Sequence, residues 1–165
     1  MSIHSERLSL ERITPELAGR IVARDEHLDD RWHAEYPLED ELNPLRDLAE
    51  AQSSDPVFTL YLVRRTCDGR AIGGVGFFGP PDNAGRVGFG YGLVPSARGV
   101  GLATEAVRAA LEFATNHGAL VAEADTDVSN VASRRVLEKV GLVETRTDGK
   151  SVYFALALRE WNVTD

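Results

Sequence analysis

Apolar and polar residues alternate over residues 7–13, the period of a strand buried on one face. Thr14-Pro15-Glu16 then reads as a helix start: threonine can cap, proline suits the first helical position, and glutamate favours the positive end of the dipole. That helix is expected to run to about Arg24. Residues 25–55 break the pattern. They are rich in Asp and Glu, with Arg31 and Arg46 as the only Lys or Arg, and Trp32, His33, Tyr36 and Pro37 interrupt the acids. Asn43-Pro44 opens a second short helix. Residues 57–63 and 71–78 read as strands joined by a hairpin turn at Cys67-Asp68-Gly69. A turn follows over residues 80–85, then a glycine-rich strand over 87–94 that stops at Pro95.

The second half alternates more cleanly. Over residues 101–116, Ala103, Ala106, Val107, Ala110, Phe113 and Ala114 fall on one helical face and Glu105, Arg108 and Glu112 on the other, with His117-Gly118 as the stop. A strand over 120–126 and a helix over 129–140, closed by Gly141, come next. Two final strands, 142–145 and 152–158, flank Asp148-Gly149-Lys150. This order predicts an α/β protein: one mixed, mostly antiparallel sheet with helices on both faces, as one domain over residues 1–165.

Composition narrows the chemistry. With 43% apolar and 27% charged residues the chain can bury a core, so a disordered protein is excluded. A net charge of −8 works against nucleic acid and anionic membrane as partners, and suits a cationic substrate. A single cysteine, Cys67, rules out an internal disulfide and a cysteine-rich zinc site; Cys67 reads as a turn residue and no metal is expected. The first residues hold no apolar signal core. No window approaches the roughly 18 apolar residues of a membrane helix, and the expectation is a cytoplasmic monomer or homodimer.

The informative stretch is Leu93-Val94-Pro95-Ser96-Ala97-Arg98-Gly99-Val100-Gly101-Leu102-Ala103-Thr104: a strand end, a short loop, two glycines, then a helix. Glycines let backbone approach a ligand, the helix start offers unpartnered N–H groups and partial positive charge, and Arg98 adds a planar cation. Together they suit a pyrophosphate. A P-loop is excluded because no Gly-Lys-Ser/Thr is present. Gly99-x-Gly101-x-x-Thr104 lacks the third glycine of a dinucleotide fingerprint.

Arg98-x-x-Gly101-x-Ala103 resembles the Gln/Arg-x-x-Gly-x-Gly/Ala signature of the GNAT acetyltransferases. About 30 residues on, Asn130-x-x-Ser133 followed by Leu137-Glu138-Lys139-Val140-Gly141-Leu142 is similar to the family's second motif. The opening strand, with Arg7-Leu8, resembles the RimJ/RimL-type branch, so that the resemblance covers nearly the whole chain. It implies acetyl-CoA as co-substrate. Backbone groups of Leu93 and Val94 would pair with the pantetheine arm, where two strands splay apart in this family. The N–H groups of Arg98, Gly99, Val100, Gly101, Leu102, Ala103 and Thr104 would hold the pyrophosphate. Asn130 would bond the CoA arm, or cap its helix.

The resemblance leaves catalysis open. Where many relatives carry a thiolate-protonating tyrosine, this chain has Leu137. Ser133 matches the serine that serves in the RimL-like branch, as the acid or as a group that orients CoA. The carboxylate that relatives carry just before a Gly-Tyr pair is replaced here by Gly88 or Phe89. Asp125, then Glu123, on one face of the next strand are the alternatives, unless ordered water takes the proton. Trp32, Glu35, Tyr36 and Glu39, with Asp40 and Glu41, are expected to border the amine entrance. The implied function is acetyl-CoA-dependent N-acetyl transfer to a primary amine, either a protein N-terminus or a small cationic amine. The alternative is a non-catalytic acyl-CoA-binding or sensing module.

Overall fold

The computed structural model describes residues 2–161. The strands β1 (Ser2–His4), β2 (Leu8–Arg12), β3 (Leu60–Arg65), β4 (Ala71–Phe77), β5 (Arg86–Leu93), β6 (Val121–Asp127), β7 (Val143–Thr147) and β8 (Ser151–Ala157) form one sheet in the order β1-β2-β3-β4-β5-β6-β8-β7. Neighbours are antiparallel except β5 and β6, which are parallel and joined by helix α3 (Leu102–Asn116). The other helices are α1 (Pro15–Val22), α2 (Leu42–Glu50) and α4 (Val131–Val140). None is long and apolar enough to cross a membrane among the described residues.

Three boundaries differ from the pattern-based expectation, each for a local reason. Arg7 lies in the β1–β2 turn and not in a strand, because its backbone N–H and its Nε both donate to Glu105 of α3. The first helix stops at Val22, as Arg24 turns left-handed at φ 55°. The third strand begins at Leu60, since the N–H groups of Val57 and Phe58 donate to Asp55 Oδ1 and fold that stretch into a turn.

The two sheet faces have different covers. Tyr61, Val75 and Tyr91 stand side by side on one face, where the Tyr61 ring meets Phe113 of α3 edge-on at 5.8 Å. Gly74 and Gly92 share the opposite face, approached by Glu41 and Leu38 from the short turn before α2. Helices thus lie on both sides. Fully buried Leu8, Leu10, Tyr61, Ile72, Phe89, Leu111, Leu137 and Phe154 run the length of the core; each such side chain contributes about 1.5–3 kcal/mol by leaving water.

β5 and β6 pair only over Arg86, Val87 and Gly88 against Val121, Ala122 and Glu123. Beyond that, β5 stays with β4 as far as Leu93 and β6 stays with β8 as far as Asp127, so the two strands part. The sheet opens into a wedge between them.

Candidate active site

The wedge continues a cleft of about 650 Å³. Its first wall is β5. Gly88 O accepts from Phe78 N–H, and Val94 N–H donates to Ile72 O, so the peptide groups of Gly88, Gly90 and Gly92 point to β4. By the alternation of a strand, those of Tyr91 and Leu93 point the other way, past the last β5–β6 rung at Gly88 and into the gap β6 has left. Its end is the loop into α3. Gly99 and Gly101 adopt φ of 86° and 85°, which side chains resist, and a Cβ at Gly99 would meet nothing, so ligand space lies over it. Glu105 N–H is the first to bond back into the helix, to Gly101 O, which leaves those of Leu102, Ala103 and Thr104 free of helical partners. Arg98 Nε donates to Leu93 O at 2.9 Å, and Arg98, Arg135 and Lys139 gather positive charge along the cleft.

Arg7 braces this loop from outside. Its Nη1 donates to Val100 O at 2.9 Å and its Nε to Glu105 Oε1 at 2.7 Å, while Ser5 Oγ donates to Glu105 Oε2 at 2.6 Å. Burial acts to raise the Glu105 carboxyl, but these bonds outweigh it and hold it below its usual range.

Beside the gap, Tyr91 of β5 meets Ser133 of α4, with hydroxyl oxygens 2.8 Å apart and Tyr91 O–H also within 3.2 Å of Ser133 O. Burial pushes the Tyr91 phenol above its ordinary value, against the opposing pull of the Ser133 bond. The two hydroxyls form a hydrogen-bonded pair on the cleft wall. Asn130 Oδ1 caps α4 by accepting from Ser133 N–H at 3.1 Å, and its amide –NH₂ remains for a ligand.

The far side is built from side chains around a glycine floor. Gly74, Gly76, Gly90 and Gly92 line it, roofed by Leu38, Leu60, Tyr36, Phe78 and Glu41. Phe78 is 67% exposed, yet its ring lies over Gly88 and Gly90, within 3.2 Å of where their Cβ atoms would stand. A Cβ at Gly74 would lie 2.6 Å from Glu41 Oε1, so only glycine admits that carboxylate. Glu41 Oε2 accepts from Leu38 N–H at 3.2 Å, while Oε1 is buried without a hydrogen-bond partner. Burial, with Asp40 nearby, raises the Glu41 carboxyl to about 7 despite the Leu38 bond.

The model of the acetyltransferase (GNAT) domain matches residues 7–143, most of the chain. The chain belongs to the GNAT acetyltransferase family. No curated protein matches the sequence significantly. Solved structures share the fold at low identity. A ribosomal-protein-S5-alanine acetyltransferase from Vibrio fischeri is 18% identical, with TM-score 0.68, over 98% of this chain and 99% of the other. Mycobacterium smegmatis RimJ in complex with CoA-disulfide is 19% identical, with TM-score 0.69, over 97% and 88%. A spermidine N-acetyltransferase chimera from Vibrio cholerae and hSSAT is 17% identical, with TM-score 0.66, over 94% and 98%.

As a GNAT acetyltransferase the protein uses acetyl-CoA, and the residues present suit it: an open strand edge for the arm, an open glycine loop at a helix start for the pyrophosphate, and cations nearby. The residues picked from the sequence divide accordingly. Leu93, Arg98, Gly99, Gly101, Leu102, Ala103, Thr104, Asn130 and Ser133 line the cleft. Val94 is buried with its N–H bonded to Ile72 O, Arg98 N–H is bonded to Pro95 O, and Val100 turns outward with its carbonyl held by Arg7. Glu123 and Asp125 are not in the lining: Glu123 lies 3.6 Å from Arg86, and Asp125 is exposed on the opposite sheet face from Ala124. Of the expected acceptor residues, Tyr36 reaches the cleft. Trp32 is buried, paired in a bridge with Ala71 and its ring 6.2 Å from that of Tyr36. Glu35 accepts from Ser96 N–H and Oγ–H, bonds that lower its carboxyl. Glu39 is exposed outside the lining, whereas Asp40 and Glu41 are within it.

Tyr91 has no place among the expected site residues, and Glu41 was expected at the amine entrance without being set apart from Glu39 and Asp40. Tyr91 carries a signal, since it continues the buried Val87–Phe89 face of β5 and a buried phenol needs a partner. Glu41 carries one too. It stands at i, with Leu45 at i+4 and Leu48 at i+7, so an acid falls in phase with the apolar stripe of α2.

Proposed function

We propose that this protein transfers the acetyl group of acetyl-CoA to a primary amine through one catalytic domain, by direct attack of the amine on the thioester. The observation that carries the reading is the continuity of the cleft: the open edge of β5 and the glycine loop at one end, the Tyr91–Ser133 pair beside the gap, and the glycine floor under Glu41 at the other. Bound acetyl-CoA supplies an activated acetyl carbonyl. Tyr91 N–H and C=O and Leu93 N–H are offered to its arm, the Gly99–Thr104 stretch and Arg98 bind the pyrophosphate, and Asn130 donates its amide –NH₂ to the arm. Ser133, backed by Tyr91, gives a proton to the departing sulfur. Positioning by these groups supplies much of the rate.

The likeness to ribosomal-protein acetyltransferases supports the RimJ/RimL-type branch and a protein N-terminus as acceptor. The spermidine enzyme keeps a small amine equally in view. The protein is incubated with acetyl-CoA and a panel of primary amines and short peptides, and products are read by mass spectrometry. The expected result is free CoA matched by one acetylated amine. Tight acetyl-CoA binding without transfer to any amine would instead make the protein an acyl-CoA-binding module.

A further inference from the structure

Acetyl transfer needs somewhere for the amine's proton to go. The β5 strand brings no carboxylate to this point: Gly88 and Gly90 stand there, with the Phe78 ring over them. Glu123 and Asp125 do not reach the cleft lining. One carboxylate enters from the opposite direction. Glu41, on the turn before α2, rests on Gly74, the residue paired with Gly92 of β5. Gly92 lies between Tyr91 and Leu93, whose peptide groups face the gap.

We propose that Glu41 is the catalytic base, and that the subsite it closes takes a primary monoamine carried on an apolar body. The inference rests on the acetyltransferase reading above. Three observations carry it. Glu41 Oε1 is buried with no partner in the protein, so its lone pairs are unspent. Gly74 is compatible with that carboxylate where any side chain would displace it. Leu38 N–H holds the other oxygen and so fixes the direction of the free one.

The charged surroundings agree. Asp40 stands next to Glu41 on its own turn, and the phenol of Tyr36 is close enough for the Glu41 charge to raise its pKa. Directly beneath, β4 presents Gly74 and Gly76, β5 presents Gly90 and Gly92, and β3 presents Leu60 and Leu62; farther along the same face Arg64 of β3 acts to lower the Tyr36 phenol but is itself held by Glu11 of β2 and by the carbonyls of Asp30 and Gly69. With no cation to hold it as a carboxylate, burial dominates and Glu41 titrates at about 7, the range a base needs near neutral pH. In the reaction the amine nitrogen forms its bond to the acetyl carbon and loses a proton, which passes through a bridging water to the Glu41 carboxylate, since Oε1 itself is closed off against Gly74. The carbon–sulfur bond breaks, the sulfur leaves with the electron pair, and the Ser133 hydroxyl supplies its proton, replaced from solvent.

The same walls select the acceptor. Asp40 and Glu41 are the carboxylates lining this cleft among the described residues, and beside Tyr36 and the glycine floor the acceptor end is walled by Leu38, Leu60, Pro44, Leu45 and Phe78. With Glu41 serving the reacting amine, Asp40 is left as one counter-charge, so a further ammonium of a polyamine such as spermidine would lie against apolar groups, which costs desolvation energy. A flat apolar body would instead cover Phe78.

The test compares the wild type with Glu41→Gln, using 2-phenylethylamine and spermidine as probes from pH 5.5 to 9. Glu41→Gln is expected to lower kcat/KM for 2-phenylethylamine about 100-fold and to erase the limb near pH 7. Calorimetry should show acetyl-CoA affinity changed less than about twofold. A second readout needs no acceptor. Glu41 has a folded pKa above its unfolded value, so the native state binds the extra proton, and wild-type stability should fall as pH rises from about 4.5 to about 7. Glu41→Gln should remove that fall in thermal unfolding. An unchanged rate and pH limb in Glu41→Gln overturns the base. Spermidine outperforming 2-phenylethylamine overturns the subsite. A wild type that binds acetyl-CoA but acetylates neither probe nor any other amine overturns the acetyltransferase reading itself, and this proposal with it.

Discussion

The two ends of the cleft are made of different material. The cofactor end is backbone: the open edge of β5, the positive-φ glycines of the loop and the first turn of α3, all within residues 89–104. The acceptor end is side chain: Tyr36 and Leu38, Glu41, Leu60, and Phe78, brought together from segments that the chain visits separately. A site made of contiguous backbone must keep its glycines and its spacing, and therefore leaves a mark in the sequence. A site made by convergence leaves a fainter one: within residues 25–55 only the phase of Glu41 with Leu45 and Leu48 sets one acid apart from its neighbours.

This contrast sets unequal expectations for mutation. The largest effect belongs to Gly101→Val. A branched side chain there adds left-handed strain of about 1–3 kcal/mol, with Arg7 Nη2 3.4 Å from the new Cβ. Acetyl-CoA affinity by calorimetry should fall more than about 100-fold once pyrophosphate space is also lost. A tolerated valine would break the claim that this end is held by backbone.

Next comes the hydroxyl pair. Ser133→Ala should lower kcat about 100-fold with acetyl-CoA affinity nearly unchanged, if its proton reaches the leaving sulfur. Tyr91→Phe, which keeps the ring and removes the 2.8 Å partner, should lower kcat less. If Tyr91→Phe costs more than Ser133→Ala, the phenol is the donor and Ser133 its support.

Arg7→Ala removes the brace on Val100 O and Glu105 without touching the lining. Because Arg7 is partly exposed, the lost bonds are worth about 1 kcal/mol, and acetyl-CoA affinity should drop about fivefold. The smallest effect belongs to the acidic rim. Asp40→Lys should raise KM for a cationic amine a few-fold at low salt and less at high salt, while Glu39→Lys should change little, since Asp40 lines the cleft and Glu39 does not. Equal effects from the two would make the rim a diffuse field and not a lining.

The same contrast explains what could be read without a structure. Apart from the short edge strand β1, strand and helix order followed from periodicity, and the glycine loop followed from its spacing. The boundaries that shifted did so through tertiary or side-chain bonds: Arg7 to Glu105, and Asp55 to the N–H groups of Val57 and Phe58. Trp32 and Glu35 looked like acceptor residues because aromatics and acids cluster there. In the fold Trp32 backs Tyr36 and Glu35 fastens residues 31–36 to Ser96. Glu41 differed from its acidic neighbours only in phase with Leu45 and Leu48, a signal that gains meaning once Gly74 is known to lie beneath it.

The most direct test of the central claim is residue-resolved amide hydrogen exchange on β5 with and without acetyl-CoA. Gly90 and Gly92 turn their N–H groups to β4, while Tyr91 and Leu93 turn theirs to the gap that β6 vacates. Acetyl-CoA should slow exchange at Tyr91 and Leu93 and leave Gly90 and Gly92 as they were. Protection of the glycines alone, or none anywhere on β5, would contradict the assignment of this gap to the cofactor.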